Sequence, residues 1–141
     1  MRGGAALRAS LLLGLALVLG ACGHHHWLDS DNAGDDGIHA YPAKYKADIL
    51  SAMHAYLNDP TGVRDAFIAE PALKSTGVGS STRYIVCLKF NAKKNASEYA
   101  GTKEIAASFL AGRFDQFIEI PKELCAGAAY TPFPELQNLP P

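Results

Sequence analysis

Between Arg83 and Asn91, large apolar side chains occupy every second position of the chain. Side chains alternate between the two faces of a β-strand, so such a segment has one wholly apolar face that another layer must cover. The residues of this face are Tyr84, Val86, Leu88 and Phe90. The chain must therefore build a sheet with at least one covered face.

A helical repeat precedes this strand, over Lys44–Asn58. Its apolar residues are Tyr45, Ile49, Met53, Tyr56 and Leu57. Their spacing predicts one amphipathic helix of about four turns. Asn58-Asp59-Pro60 ends it, because the residue before a proline is pushed out of the helical region.

Shorter apolar segments predict the remaining strands. Arg64–Ala69 is typical of a short strand, and Glu104–Leu110 with Arg113–Ile120 is typical of a hairpin that turns at Ala111-Gly112. Lys74–Thr82, rich in Gly and Ser, predicts a turn. We therefore expect an α+β fold, with one amphipathic helix packed on a small antiparallel sheet of three or four strands.

The C-terminal segment YTPFPELQNLPP carries four prolines, which exclude a long helix or a central strand. Its large apolar residues are Tyr130, Phe133 and Leu136. They either pack over the sheet of their own domain or dock on another protein as an extended arm. We expect the first.

The N-terminal residues are typical of a secretory signal. Arg2 and Arg8 precede the uncharged apolar run Leu11–Leu19, which is too short to span a bilayer. The sequence LGAC that follows resembles the lipobox of bacterial lipoproteins. The resemblance implies cleavage of residues 1–21 and a diacylglycerol on the sulfur of Cys22. It also implies acylation of the new amino group.

Two or more acyl chains hold a protein stably on a bilayer, at about 0.8 kcal/mol per buried methylene. Gly23 follows the cysteine, and by the sorting preference of enteric lipoproteins it favours the outer membrane. We therefore expect a protein anchored to the outer membrane and facing the periplasm. A secreted protein with a chance cysteine is the alternative.

Removal of the signal leaves 120 residues, enough for one domain. We expect a flexible tether over 22–43, which is rich in polar residues and Gly, and a small periplasmic domain over 44–141. The mature chain keeps 11 of the 13 basic residues against 14 acidic ones, a net charge of −3. This balance indicates neither nucleic acid nor an anionic membrane surface as a partner.

Two cysteines remain once Cys22 is lipidated. An exported chain folds in an oxidising compartment, so Cys87 and Cys125 are expected to form a disulfide, with two buried free thiols as the alternative. A disulfide that closes the loop between Cys87 and Cys125 would stabilise the fold by about 4 kcal/mol.

The histidine tract His24–His26 is a candidate metal site, which Asp29, Asp31 and His39 could complete. Adjacent side chains on a flexible segment lack a preorganised geometry, so we favour a solvated spacer and expect no metal or other cofactor.

The sequence also offers few candidate catalytic groups. His54 lies in the predicted helix beside its apolar stripe, and the sequence has no G-x-S-x-G motif. Asp59, Asp65 and Glu70 could supply paired carboxylates, although acidic residues in turns more often act as caps. We therefore expect a protein that is not an enzyme.

The segment Lys89–Gly101 contains three lysines, two asparagines and a tyrosine. It is either a recognition loop for an anionic group or a polar connection between strands, and we favour the connection.

Three stretches carry a wider resemblance: YLNDPTGVRDA (56–66), YIVCLKFNAKKN (84–95) and YAG (99–101). With them the chain resembles small uncharacterised lipoproteins of Gram-negative envelopes, over about residues 44–136. The resemblance implies the localisation and the disulfide, and it carries over no activity and no catalytic residue. We therefore expect a non-catalytic binding or scaffolding module whose partners are the membrane, through the anchor, and an envelope protein. The alternative is a metal-binding lipoprotein that uses the histidine tract.

Overall fold

The computed structural model describes residues 37–76 and 81–141. In chain order its elements are α1 (Tyr45–Tyr56), β1 (Arg64–Ala69), β2 (Ala72–Ser75), β3 (Thr82–Lys93), β4 (Tyr99–Leu110), β5 (Arg113–Ile118), β6 (Tyr130–Pro132) and α2 (Pro134–Gln137). The predicted α+β class is confirmed, and so are the helix, the first strand and the hairpin at Ala111-Gly112.

All strand pairings are antiparallel. The order across the sheet is β5-β4-β3-β1-β6, and β2 also pairs with β3. β1 lies against residues 88–91 of β3, whereas β2 lies against residues 82–85. The long strand β3 is therefore the centre of the sheet.

The prediction of three or four strands was wrong, because the sheet has six. β2 has only four residues, between Pro71 and the Gly/Ser segment, so it offers too few positions for an alternating pattern. β6 has three residues at the sheet edge, where a proline is tolerated. β4 also begins five residues earlier than predicted. The sequence did not reveal Tyr99–Lys103 as part of the strand because this segment is largely exposed and lacks an apolar alternation, although it pairs with β3.

The main core lies between α1 and one face of the sheet. Ile49 and Met53 of α1 are fully buried there against Val86, Leu88 and Phe90 of β3. Full burial of each such side chain contributes about 1.5–3 kcal/mol. The apolar face predicted for β3 is therefore the face that holds the helix.

A second, smaller core lies on the opposite face of the sheet. Ile85 and Cys87 of β3 pack there with Ala106 and Cys125. Cys87 and Cys125 form the predicted disulfide, with 5.8 Å between their Cα atoms. The backbone N–H of Cys125 donates to the carbonyl of Pro121, which closes one turn before the cysteine.

The C-terminal tail packs on its own domain, as expected. Phe133 and Leu136 are fully buried in the main core. The N–H of Phe133 donates to the carbonyl of Ala66, and Pro132 pairs with Phe67 of β1. The tail therefore extends the sheet by one edge strand and closes the core with a short helix.

The structure describes the last seven residues of the predicted tether, 37–43. The carbonyl of Ile38 accepts a hydrogen bond from the N–H of Ala111, and the ring of Tyr41 stacks edge-on against Tyr84 with 5.3 Å between centroids. Pro42 is fully buried. The chain thus enters the domain at the β4–β5 turn.

Candidate functional site

The turn after α1 is the first part of the candidate site. Asp59 accepts hydrogen bonds from the backbone N–H and the hydroxyl of Thr61, and it accepts a longer one, of 3.3 Å, from Nζ of Lys93. The hydrogen bonds from Thr61 and, more weakly, the contact with Lys93 lower the pKa of Asp59. Gly62 completes the turn with a φ of +66°, a conformation that favours glycine.

The β3–β4 connection lies against this turn. The hydroxyl of Tyr99 donates to the carbonyl of Gly62 at 2.9 Å, and the guanidinium of Arg64 lies 4.1 Å from the centre of the Tyr99 ring. Across the hairpin, the N–H of Gly101 donates to Oδ1 of Asn91 at 2.9 Å. The three stretches that carry the resemblance therefore meet at one end of the domain.

A groove of about 300 Å³ opens at this end, between the last turn of α1 and the adjoining parts of β3 and β4. Its lining residues are Tyr56, Leu57, Asn58, Phe90, Ala92, Lys93, Ala100, Gly101 and Lys103. Phe90 is fully buried and forms the apolar floor, and the two lysines stand at the rim. We call this feature the motif groove.

A cluster of three polar side chains holds one side of the motif groove. The hydroxyl of Tyr56 donates to Glu119 at 2.6 Å, while Nζ of Lys103 lies 2.6 Å from both the Tyr56 hydroxyl and the Glu119 carboxylate. Tyr56 also packs against Phe117, with 5.0 Å between ring centroids. The cluster therefore links α1, β4 and the end of β5.

The electrostatics of this cluster keep Lys103 and Glu119 charged. Burial, followed by the hydrogen bond to Glu119, raises the pKa of Tyr56. Burial lowers the pKa of Lys103, but its hydrogen bonds to Glu119 and Tyr56 outweigh that effect and the net pKa is raised. The hydrogen bond from Lys103 lowers the pKa of Glu119. At neutral pH the groove thus presents an ion pair and a neutral phenol.

The three lysines of Lys89–Gly101 all contact carboxylates of their own domain. Lys89 lies 3.6 Å from Glu104 and over the ring of Tyr130, on the face opposite α1. Lys93 contacts Asp59 at 3.3 Å, and Lys94 contacts Glu98 at 3.8 Å. These contacts favour the polar connection over a recognition loop, and only Lys93 borders the motif groove.

Several predicted site residues are not brought together. Cys22, His24–His26, Asp29 and Asp31 lie outside the described residues, so the anchor and the histidine tract stay predictions. His54 and Glu70 are exposed, and Asp65 is exposed with a φ of +50°.

His39 is half-buried, and its Nδ1 has no hydrogen-bond partner within 37–76 and 81–141. The same ranges contain no group of three or more His, Cys, Asp or Glu side chains arranged to hold a metal ion.

Sequence reasoning missed Lys103 as a site residue and treated Tyr56 only as part of the apolar stripe. In the β3–β4 pairing, Lys103 lies directly opposite Phe90. Nothing in the local sequence gives this register, because the polar start of β4 has no alternating pattern.

No family model, curated protein or solved structure matches the chain. Within the part of the chain that the structure describes, no helix has the length and apolar character needed to span a membrane.

Proposed function

We propose that this protein is a lipid-anchored lipoprotein of the Gram-negative envelope, facing the periplasm from the outer membrane, and that it acts as a non-catalytic binding module. The LGAC sequence supports the anchor at Cys22. The motif groove supports the binding role, because it combines an apolar floor with polar groups held in place at its rim.

The position of the motif groove is the observation that carries the proposal. The described chain begins beside Gly112, near the start of α1, whereas the groove lies beside Gly101, at the end of α1. The 12 residues of α1 separate these ends by about 18 Å. A domain tethered at its first end presents the groove away from the anchor, towards a periplasmic protein.

Photo-crosslinking in cells tests the binding role. A photoreactive amino acid replaces Ala100, which is exposed and lines the groove, and Gln116 on β5 provides the matched control. We expect a discrete protein adduct from position 100 and none from position 116. The same adducts from both positions, or none from position 100, would contradict the proposal.

A blocking variant sharpens the result. Ala100→Trp should fill the groove and remove the adduct formed from a second probe at Asn58, whereas Gln116→Trp should leave that adduct intact. Both variants are at exposed positions, so their melting temperatures should stay close to that of the parent.

The metal-binding alternative rests on His24–His26 and makes a separate prediction. Replacement of the three histidines by alanine would abolish micromolar zinc or copper binding by the mature chain. It would leave the adduct at position 100 unchanged if the binding role is correct. Calorimetry with the metal alone measures the first effect.

A further inference from the structure

Four of the large apolar side chains that are exposed among the described residues lie at the end where the chain enters the domain. They are Ile38, Tyr41, Leu73 and Leu110, with exposed fractions of 61, 46, 49 and 37 %. Exposed apolar side chains that gather at one end of a domain favour an interaction site there.

The backbone contacts place these four side chains on neighbouring segments. The carbonyl of Ile38 is bonded to the N–H of Ala111, the residue after Leu110. Tyr41 stacks on Tyr84, and Leu73 lies directly opposite Tyr84 in the β2–β3 pairing. Leu110 follows the core residue Phe109, so it projects from the other face of the sheet at the same end. We call this end of the domain, with its exposed side chains from both faces of the sheet, the tether-end face.

Basic side chains border the same face. Lys44 and Arg113 line an open cleft together with Tyr41 and Gly112, and Lys46 is exposed in the first turn of α1. The dipole of a helix disfavours cations at its N-terminus, so the stability of α1 does not account for lysines at positions 44 and 46. Their placement suits an external anionic group instead.

The proposed anchor identifies what lies next to this face. Only residues 23–36 separate Cys22 from the described chain, which begins at Gly37 on the tether-end face. A bilayer surface combines anionic headgroups with an apolar layer immediately below them, and a face with basic and apolar side chains matches both.

We propose that the tether-end face rests on the bilayer that carries the anchor. Ile38, Tyr41 and Leu110 enter the headgroup region, while Lys44, Lys46 and Arg113 face anionic headgroups. This proposal builds on the proposed lipid anchoring and adds an orientation to it.

Acidic residues of the same region weaken the purely electrostatic attraction. Asp48 lines the same cleft, and Asp35 and Asp36 immediately precede Gly37 in the sequence. Asp115 forms an ion pair with Arg83, so its charge is already balanced within the domain. Binding to the bilayer therefore depends on the basic and apolar side chains of this face acting together. It cannot be inferred from the net charge of the whole chain.

Vesicle sedimentation tests the proposal on the mature chain with Cys22→Ser, which has no acyl chains. The probes are vesicles of phosphatidylcholine alone and vesicles in which phosphatidylglycerol replaces part of it. We expect salt-sensitive binding to the anionic vesicles and weaker binding to the neutral ones. Absence of binding to both would overturn the proposal.

Single substitutions locate the contact. Lys44→Gln and Arg113→Gln should each weaken binding to anionic vesicles by about fivefold, the effect of one basic residue near such a surface. Ile38→Ser should weaken binding to both kinds of vesicle. Lys94→Gln, an exposed lysine at the opposite end, is the matched control and should have no effect. Equal losses from Lys94→Gln and Lys44→Gln would overturn the proposal.

Two outcomes separate this inference from the anchor. If Cys22 carries no lipid in cells but the Cys22→Ser chain binds anionic vesicles as described, the anchor fails and the face is supported. If a photoreactive group at position 38 in the lipidated protein yields a protein adduct and no lipid adduct, the face binds a protein and this inference is wrong.

Discussion

Single side chains determine the shape of the motif groove at the turn after α1. A Cβ atom added at Gly62 would lie 3.0 Å from Cε of Lys93 and 3.5 Å from the hydroxyl of Tyr99. The same glycine has a positive φ, so a side chain there is strained by the backbone as well as by its neighbours. The turn and the rim of the groove are therefore coupled.

We predict that Gly62→Ala lowers the free energy of unfolding by about 1–2 kcal/mol, through strain at the positive φ and displacement of Lys93. Gly37→Ala is the control, because no atom lies within 4 Å of the added Cβ. Urea unfolding of both variants measures the difference. Equal stability of the two variants would show that a side chain at position 62 is not strained.

A second prediction concerns pH and Tyr45, which is buried in the main core. Burial, reinforced by the nearby Glu70, raises the pKa of Tyr45 from 10.0 to about 12. Between these values the unfolded chain has lost the phenol proton and the folded chain keeps it. The contribution of Tyr45 to the stability of the fold is therefore fully present below pH 10 and is lost as the pH rises towards 12.

The loss attributable to Tyr45 should approach about 2 kcal/mol near pH 12. Tyr45→Phe removes the titrating group, so the variant should gain stability relative to the parent as the pH is raised from 9 to about 11.5. Denaturant unfolding at both pH values measures the change. A difference between parent and variant that is independent of pH would contradict the assigned shift.

The elements that were predicted are those with a sustained period. α1 buries one face, and the alternating apolar face of β3 packs against it, so this contact follows from the sequence. β3 also buries Ile85 and Cys87 on its other face, which the alternation did not predict. β2 and β6 are too short to show a period, and their existence depends on pairing with β3 and β1. Tertiary contacts therefore decided the strands that the sequence could not.

In the motif groove, too, some features follow from local sequence and others depend on tertiary contacts. The D-P-T-G turn and the Y-A-G stretch were visible as motifs, but their meeting depends on the hydrogen bond from Tyr99 to Gly62 across 37 positions of the chain. Lys103 enters the site only through the register of β4. Local sequence carries neither fact.

The tail contributes two fully buried side chains to the core, Phe133 and Leu136. We predict that Phe133→Ala lowers the free energy of unfolding by about 3–5 kcal/mol, because the ring is fully buried. Glu135→Ala, an exposed position in the same short helix, should change it by less than about 0.5 kcal/mol. Urea unfolding of both variants tests this, and a small loss from Phe133→Ala would mean that the tail does not close the core.

The disulfide ties the segment after β5 to the centre of the sheet. Its two cysteines are 38 positions apart, so its removal should cost about 4 kcal/mol of stability. The variant with both Cys87→Ser and Cys125→Ser tests this by denaturant unfolding, with the parent in reducing buffer as a second measurement. An unchanged midpoint in both measurements would contradict a structural role for the bond.

At the level of the whole molecule, the two ends of the domain differ in character. The tether-end face combines exposed apolar and basic side chains, whereas the motif groove lies beyond the other end of α1. If the proposed anchor at Cys22 is present, it would orient the domain with the tether-end face against the bilayer and the motif groove towards the periplasm.

Mass spectrometry of the mature N-terminus, with fractionation of cells that carry Cys22→Ser, tests the anchor most directly. We predict that the mature chain begins at an acylated Cys22, and that a high-salt wash removes the Cys22→Ser protein from the membrane fraction but leaves the parent there. An unmodified thiol at Cys22, or a Cys22→Ser protein that stays with the membranes after the high-salt wash, would contradict it.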